Sequence, residues 1–246
     1  MGLPISILAR GDQPDSADAD QAVRAVFAEL VEVDLVFSPY RQDSVISQLM
    51  RNEIALSECP IDVQDVAERC ARAKSDTGGL FDPVRPDGEW DPSGLVKGWA
   101  VERASRHLGE VTDLDWCLNA GGDVVVISPS GEPFTVGIQD PHDATRVAAA
   151  LPCASGGVAT SGTAARGEHL YDPRSGGPAS KSASVTVCGP SLETADVLAT
   201  AAFVAGDQAL AVIERVNGCE GLRIGLDATI TTTVGWVGRT ITATAD

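Results

Sequence analysis

Two spacings of hydrophobic positions divide the chain into helices and strands. Apolar residues recur every three or four positions, which predicts helices over about residues 19–35, 62–74, 94–108 and 191–206. Short apolar runs predict strands over residues 3–9, 116–119, 123–128, 134–139 and 184–188. Thr alternates with apolar residues over 222–226 and 230–237, which predicts a β-hairpin around Asp227-Ala228.

The order of these elements favours one fold class. Helices and strands follow each other without a steady βαβ alternation, which predicts an α+β fold of mostly antiparallel sheets packed with helices. Residues 11–20 are polar and predict a loop. Residues 129–132 predict a hairpin turn between the strands on either side. In the first helix, we expect an inward face made of Ala22, Val23, Val26, Phe27, Leu30 and Val31.

The helix over residues 191–206 carries two polar residues beside an apolar arc. Ser191 suits its N-cap and Gly206 its C-terminal end. Asp196 and Thr200 are four residues apart, so they share a face at the margin of the arc. Two interpretations are open: a solvated Asp with an ordinary helical Thr, or a pair of oxygen ligands for a hard cation such as Mg²⁺.

Composition narrows the class of partner. The 246 residues carry a formal net charge of −17 with a pI near 4.4, which argues against nucleic acid or an anionic membrane surface. No apolar run approaches the roughly 18 residues of a membrane span, so none is expected. The chain shows no basic segment followed by an apolar one at its start, and we therefore expect a cytoplasmic protein.

Cysteine and histidine usage excludes some kinds of site. The six cysteines form no Cys-x-x-Cys pair, and free thiols in a reducing compartment are expected. With three histidines in the chain, a His-rich metal site is excluded.

None of the common nucleotide-binding motifs is present, and the candidate chemistry lies instead in turns at the ends of elements. Tyr40 follows a proline and either offers a flat face to a ring or packs at a helix end. Asp91 and Lys97 flank a helix start; they either attract an anion there or serve as an N-cap and a surface lysine. His169 is either a proton acceptor or a turn residue bonded to backbone.

Two further segments combine glycine with polar residues. The turn at 119–123 (Asn-Ala-Gly-Gly-Asp) predicts a tight hairpin between strands. Residues 159–162 (Ala-Thr-Ser-Gly) combine hydroxyls with glycine and suit a loop that faces phosphate.

Taken together and in order, these segments resemble the ApbE family of flavin transferases. The matching motifs are Met1-Gly-x-Pro, Ser38-Pro-Tyr-Arg-x-Asp-Ser, Gly79-Leu-Phe-Asp-Pro, Asp91-x-x-Gly-x-x-Lys-Gly-x-Ala, Asn119-Ala-Gly-Gly-Asp, Val136-Gly-Ile-x-Asp-Pro, Ala159-Thr-Ser-Gly, His169-x-x-Asp-Pro-Arg-x-Gly and Ala195-Asp-x-Leu-Ala-Thr-Ala. Each motif is short, but their collinear order is hard to obtain by chance.

The resemblance implies a fold and a reaction. It implies an ApbE-like (T-fold-like) architecture, with a single domain over residues 1–246. It implies binding of FAD, a requirement for Mg²⁺, and transfer of FMN to a Ser or Thr hydroxyl of an acceptor protein with release of AMP.

The resemblance also implies roles for particular residues. The positions implied to contact FAD are Met1, Tyr40, Leu80, Phe81, Asp82, Asp91, Lys97 and Tyr171. Among these, Tyr40 would stack on the isoalloxazine ring, while Asp91 and Lys97 would lie at the adenosine or diphosphate side. The implied Mg²⁺ ligands are Asp196, Thr200 and the backbone carbonyls of Gly94 and Ala199. His169 would act as, or position, the base for the acceptor hydroxyl, with Asp196 as the second catalytic residue.

One departure from the family keeps other activities open. The loop at 162–168 is short, and Thr163-Ala-Ala165 stands where the family usually has an aromatic and basic stretch. The alternatives are a hydrolase that splits FAD into FMN and AMP, and a non-catalytic FAD-binding protein.

Overall fold

A computed structural model of the chain describes residues 2–162, 171–177, 179 and 182–241. Over these residues the chain forms six α-helices. Their bounds are α1 Ala17–Phe37, α2 Val45–Met50, α3 Ile61–Asp76, α4 Ser93–Gly109, α5 Leu192–Ala205 and α6 Ala209–Ile213. The four predicted helices are therefore present as α1, α3, α4 and α5.

The described strands form two sheets. Their bounds are β1 Ile5–Arg10, β2 Asp115–Ala120, β3 Asp123–Ile127, β4 Phe134–Asp140, β5 Asp143–Cys153, β6 Ser155–Gly162, β7 Ser182–Gly189, β8 Glu220–Gly225, β9 Ile230–Thr232 and β10 Arg239–Thr240. The larger sheet has the order β1-β2-β3-β6-β7-β8-β9, and the smaller one has the order β10-β5-β4. Neighbouring strands of the described sheets are antiparallel throughout, which confirms the predicted α+β class.

The larger sheet is covered on both faces. On β3, Val125 packs into the core that α1, α4 and α5 build. Its neighbours Val124 and Val126 point to the opposite face, where they meet Val136 and Leu151 of the smaller sheet. A strand buried on both faces carries a continuous apolar run, and the sequence Asp-Val-Val-Val-Ile of β3 has this character.

The first helix begins earlier than predicted and buries a different face. It starts at Ala17 because the Ser16 side chain caps it, accepting a hydrogen bond from the amide of Ala19 at 3.2 Å. The predicted inward residues Phe27 and Val31 are wrong, since they are 42% and 60% exposed. The buried residues are Ala19, Ala22, Val26, Leu30, Val33 and Phe37. The buried face of α1 is thus narrower than the predicted one, because α1 packs mainly against a single helix, α4.

The predicted hairpin at 129–132 is also wrong. β3 pairs with β2 and β6, whereas β4 pairs with β5 in the other sheet, so the turn carries the chain between layers. Asp115 fixes this turn: its carboxylate accepts hydrogen bonds from the hydroxyl of Ser130 at 2.6 Å and from the Ser130 amide at 3.1 Å. Short-range turn signals do not specify which sheet the next strand joins.

Other local predictions are confirmed. β8 and β9 form the C-terminal hairpin, with Ala228 at a positive φ of 62° in its turn. All six cysteines are free thiols. The expectation that no apolar run approaches the length of a membrane span is wrong by length and composition, because the residues Leu192–Ile213 form such a stretch; 67% of its most apolar window, however, is buried inside the protein. That burial is the pattern of a core helix.

Candidate active site

Two adjacent helices meet at a glycine, and this contact positions the central carboxylate. Gly98 of α4 lies against Asp196 of α5, and a Cβ at Gly98 would stand 2.9 Å from the Asp196 Cβ and 3.0 Å from the Leu192 carbonyl oxygen. The Gly98 amide donates a hydrogen bond to Asp196 Oδ2 at 3.0 Å. Any larger residue at position 98 would separate the helices, so glycine is required by the close approach of the two backbones.

A second contact fixes the register of the same helices. Glu102, one turn after Gly98, accepts hydrogen bonds from the Ser191 hydroxyl at 2.7 Å and from the Glu193 amide at 2.9 Å. These groups form the N-terminus of α5, where a negative charge is stabilised by the unpaired amides. Ser191 is the N-cap, as predicted, and accepts from the Thr194 amide at 3.2 Å.

Asp196 lies in the interior, with 3% of its surface exposed. This finding excludes the interpretation of Asp196 as a solvated residue. The Lys97 Nζ lies 3.3 Å from Asp196 Oδ1 and 2.5 Å from Asp123 Oδ2. Lys97 is therefore no surface lysine, since its side chain is 19% exposed and is held between two carboxylates.

Asp123 was not identified from the sequence as a site residue. It is the first residue of β3 and directly follows Gly121 and Gly122, whose φ angles of 63° and 99° form the predicted tight turn. Its Oδ1 accepts a hydrogen bond from the Thr160 amide at 3.3 Å. The sequence does show a carboxylate directly before the apolar residues of a strand. A carboxylate at that position is equally typical of a turn, so it does not by itself indicate a site residue.

The charges of this cluster shift the pKa values of Asp196 and Lys97. Burial raises the pKa of the Asp196 carboxyl; the ammonium of Lys97 opposes that rise and the carboxylate of Asp123 adds to it. Burial by itself would lower the pKa of Lys97, but Asp196 and Asp123 outweigh it and the pKa is raised. Lys97 therefore stays protonated at neutral pH.

Thr200 lies one turn after Asp196 and faces the end of a strand. Its hydroxyl is 3.2 Å from that of Ser161 on β6. On the same strand, the Thr160 hydroxyl is 2.9 Å from that of Thr186 on β7. The predicted phosphate-facing loop at 159–162 is thus wrong in its secondary structure, because these residues close β6. The Ser161 hydroxyl still reaches the α5 face that carries Thr200, whereas that of Thr160 points to β7.

The donor atoms around Asp196 suit a hard divalent cation. Within the described ranges, no group of three or more His, Cys, Asp and Glu side chains is arranged to hold a metal. A metal here would need hydroxyl and backbone oxygens besides the carboxylate. Gly94 lies in the first turn of α4, and Ala199 is fully buried on α5 between Asp196 and Thr200. An all-oxygen set fits Mg²⁺.

The turn after α3 is fixed by its own hydrogen bonds. Phe81 is 3% exposed, and its amide donates to the Thr77 hydroxyl at 3.1 Å. Leu80 is half-buried beside it. The carboxylate of Asp82 pairs with Lys74 at 2.7 Å. A Cβ at Gly94 would stand 3.2 Å from the Phe81 ring, so this turn lies against the start of α4.

Tyr171 holds the same turn from the other side. Its hydroxyl lies 2.8 Å from the Val84 carbonyl oxygen and 3.1 Å from that of Asp82. Burial, with the nearby Asp82 and Asp91, raises the pKa of Tyr171 to about 12. The phenol therefore remains a neutral hydrogen-bond donor that clamps the turn.

Asp91 connects this turn with α4. Its amide donates to the Pro83 carbonyl at 2.6 Å, and its carboxylate accepts from the Ser93 amide at 2.9 Å. Asp91 thus makes the cap-type hydrogen bond expected of it, although the N-cap position itself is Pro92. Lys97 lies one turn further along and points instead to the carboxylate cluster.

Tyr40 projects from the loop after α1. It is 95% exposed, which rules out the alternative that it packs at the helix end. The loop itself is held, because the Ser44 hydroxyl donates to the Ser38 carbonyl at 2.7 Å and Ser44 caps α2. An exposed ring on a fixed loop is available for stacking.

Two predicted residues, Met1 and His169, lie outside the described residues, as does the short loop at 163–168. Their roles stay predictions. Of the other predicted site residues, the structure places Lys97, Asp196 and Thr200 together, and it groups Leu80, Phe81, Asp82, Asp91, Gly94 and Tyr171 at the start of α4. Sequence reasoning did not single out Glu102, and it gave no individual role to Gly98, Asp123 or Ser161, although these three lie in motifs that it identified.

Comparisons with known proteins identify the family to which the chain is similar. The model of the ApbE family matches residues 1–86 and 84–222. The chain is 30% identical over 141 residues to the FAD:protein FMN transferase of Haemophilus influenzae, a match of 52% of this chain and 41% of that protein. It is 28% identical over 177 residues to the FAD:protein FMN transferase of Rhodobacter capsulatus, a match of 68% of this chain and 31% of that protein. The chain thus spans less than half the length of these curated relatives.

Solved structures share the fold over nearly the whole chain. The ApbE protein of Thermotoga maritima has a TM-score of 0.83 at 22% identity, covering 95% of this chain and 94% of that one. The flavin transferase ApbE of Vibrio cholerae has a TM-score of 0.75 at 23% identity, covering 94% of this chain and 98% of that one.

Proposed function

Because the chain belongs to the ApbE family, we propose that it transfers FMN from FAD to a Ser or Thr hydroxyl of an acceptor protein and releases AMP. The relatives named FAD:protein FMN transferase support the reaction class. The observation that carries the proposal is the buried carboxylate of Asp196, held by the Gly98 amide and followed one turn later by Thr200. Such a pair of oxygen donors suits a Mg²⁺-dependent transfer of a phosphoryl-linked group.

The reaction breaks one bond of the pyrophosphate and forms one phosphoester. The acceptor hydroxyl oxygen attacks the phosphorus of the FMN half, its proton passes to a base, and AMP leaves with the bridging oxygen. His169 is the proposed base. Bound Mg²⁺ would neutralise the charge that develops on the pyrophosphate. Asp196, Thr200 and the carbonyls of Gly94 and Ala199 are its proposed ligands.

The other residues position the substrate. Tyr40 is proposed to stack on the isoalloxazine ring, since its face is open to solvent. Met1 and the 80–82 turn, which Tyr171 clamps, are proposed to line the flavin pocket. Asp91 and Lys97 are proposed at the adenosine and diphosphate side. In a chain of net charge −17, Lys97 is a rare buried cation that an approaching diphosphate would meet.

The test is a mass measurement on the acceptor. The protein is incubated with FAD, Mg²⁺ and an acceptor that carries a Ser or Thr flavinylation motif, and the small molecules are separated by chromatography. A mass gain equal to esterified FMN, with AMP released, is the expected result. Free FMN and AMP without labelling would show a hydrolase, for which the short loop at 162–168 is the supporting observation. Intact bound FAD would show a non-catalytic binding protein.

A further inference from the structure

The cluster of Lys97, Asp123 and Asp196 contains one cation shared by two buried carboxylates. The Asp123 and Asp196 side chains are 2% and 4% exposed, and Lys97 bridges them. With both carboxylates ionised, the cluster carries a net charge of one negative unit in the protein interior. The proposed function uses Asp196 as a ligand and Lys97 as a contact to the diphosphate, and it gives Asp123 no role.

The ammonium is held unequally by its two partners. Lys97 Nζ lies 2.5 Å from Asp123 but 3.3 Å from Asp196. Asp123 is part of the sheet, where the Thr160 amide holds its other oxygen. Asp196 is part of α5, where the Gly98 amide holds its other oxygen. The lysine is thus anchored on the sheet and makes the longer contact to the helix.

We propose that Asp123 is a positioning residue that anchors Lys97, so that Asp196 can exchange its contact with the ammonium for Mg²⁺. This inference rests on the proposed Mg²⁺ site. While no metal is bound, Lys97 compensates part of the charge of Asp196. When Mg²⁺ binds to Asp196, Asp123 retains the ammonium at the site, and the released donor positions of Lys97 face the diphosphate. A dication can displace a shared monocation because its attraction to the carboxylate is larger at the same distance.

This arrangement predicts opposite effects for the two neighbours of Asp196. In Asp123→Asn, Lys97 has a single carboxylate partner, so Mg²⁺ must break a complete ion pair, and its affinity falls about tenfold. In Lys97→Met, no ammonium competes and both carboxylates remain, so the affinity rises by a similar factor. In the double variant, Asp196 has no competing cation, and the affinity lost in Asp123→Asn is restored.

The experiment is a calorimetric titration of the FAD-free protein with Mg²⁺, with the same pH and ionic strength for every variant. The variants are Asp123→Asn, Lys97→Met, their combination, and Asp196→Asn. Two matched controls remove an equivalent charge elsewhere. Asp115→Asn removes a buried carboxylate that pairs with Arg10 at 2.8 Å on the neighbouring strand, and Lys74→Met removes the lysine that pairs with Asp82. Both controls should bind Mg²⁺ as the wild type does.

The outcomes separate this inference from the proposed function. If the wild type binds no Mg²⁺, or if Asp196→Asn binds it equally well, the proposed metal site is wrong and the anchoring role fails with it. If binding depends on Asp196 but Asp123→Asn and Lys97→Met both weaken it, the two residues have a merely structural role and only the anchoring inference is overturned. If one single variant shows no thermal transition, the double variant is the deciding measurement: Mg²⁺ affinity at or above that of the wild type supports the anchoring role, and weaker binding overturns it.

Discussion

At the scale of residues, the site depends on a few polar groups that the interior holds by hydrogen bonds. Asp196 is 3% exposed and receives the Gly98 amide, so its orientation is set by backbone rather than by solvent. A buried carboxylate that lost such partners would be strongly destabilising. Tyr40 is the opposite case, because its ring is 95% exposed and stabilises nothing in the described structure. Substitution of Asp196 should therefore lower the stability of the fold, whereas substitution of Tyr40 should leave it unchanged.

We expect Thr200→Ala to reduce Mg²⁺-dependent turnover at least tenfold, since it removes a proposed oxygen ligand while its half-buried position tolerates a methyl group. Thr194→Ala on the same helix is the matched control and should retain activity. The measurement is the rate of AMP release as Mg²⁺ is varied, where the loss should be partly recovered at high Mg²⁺. Full activity of Thr200→Ala at low Mg²⁺ would remove Thr200 from the ligand set.

We expect Tyr40→Ala to raise the KM for FAD about tenfold and to change kcat much less, because stacking contributes on the order of 1 kcal/mol to binding. Tyr40→Phe keeps the aromatic face and should behave as the wild type. Thermal stability should be unchanged in both variants, as the ring is exposed. An unaltered FAD affinity in Tyr40→Ala would place the flavin elsewhere.

At the scale of elements, the crossing of α4 and α5 decides whether the site exists. Gly98 sets the approach of the two helices and Glu102 sets their register, and these two contacts lie one turn apart on α4. Lys97 and Asp196 face each other because both contacts hold. The strands β3 and β6 then bring Asp123 and Ser161 to the same end.

We expect Gly98→Ala to destabilise the protein by about 1–3 kcal/mol, because its Cβ would stand 2.9 Å from the Asp196 Cβ, and this clash outweighs the higher helix propensity of Ala. Gly109→Ala at the end of the same helix is the matched control, since its nearest contact would be 3.8 Å away. Chemical denaturation of both variants gives the comparison. Equal stabilities would show that the two helices can separate without cost.

We expect Glu102→Ala to cost about 1–2 kcal/mol of stability, because the Ser191 hydroxyl and the Glu193 amide both lose their acceptor at the start of α5. Glu68→Ala on α3, an exposed position, is the control. The same denaturation experiment measures both. A loss no larger than that of the control would mean that water replaces the Glu102 carboxylate.

At the scale of the whole molecule, the larger sheet separates a helical layer from the smaller sheet. The connection between the two sheets runs through residues 128–133 and is tied to the larger sheet by Asp115. The hydroxyl of Ser130 lowers the pKa of Asp115 well below its usual range, and the Ser130 amide and Arg10 add to this shift. Arg10 in turn lies over the Phe134 ring at the start of β4, 4.3 Å from its centroid.

The carboxylate of Asp115 makes the stability of the folded protein depend on pH. Since the pKa of Asp115 is lower in the folded protein than in the unfolded chain, its contribution is complete above the unfolded value of about 4 and is lost as the pH falls below it. We therefore expect the melting temperature to fall progressively as the pH is lowered from about 5 towards the folded pKa of Asp115, and to fall less steeply in Asp115→Asn. Asp15→Asn, in the exposed loop before α1, should follow the wild type. Identical slopes for all three proteins would contradict the prediction.

The sequence by itself determined the four longer helices, many of the strands and the family, but it predicted neither β5 nor β6 as a strand. The helix with Ser191 at its cap and Gly206 at its end was predictable, because caps and apolar periodicity are local properties of the chain. The same holds for the tight turn before Asp123 and for the C-terminal hairpin. The family followed from short motifs in the correct order, which needs no knowledge of contacts.

The tertiary structure alone decided which of these residues meet. That the strand after residue 133 joins a second sheet, and that Phe27 and Val31 face outward, depends on packing between elements distant in sequence. The pairing of Lys97 with Asp123, 26 positions apart in numbering, requires the turn at Gly121-Gly122 and the close approach at Gly98 together. Local spacing specifies the face of an element on which a side chain lies. Which charged group it contacts on a neighbouring element is fixed only when the helices and the sheet pack against each other.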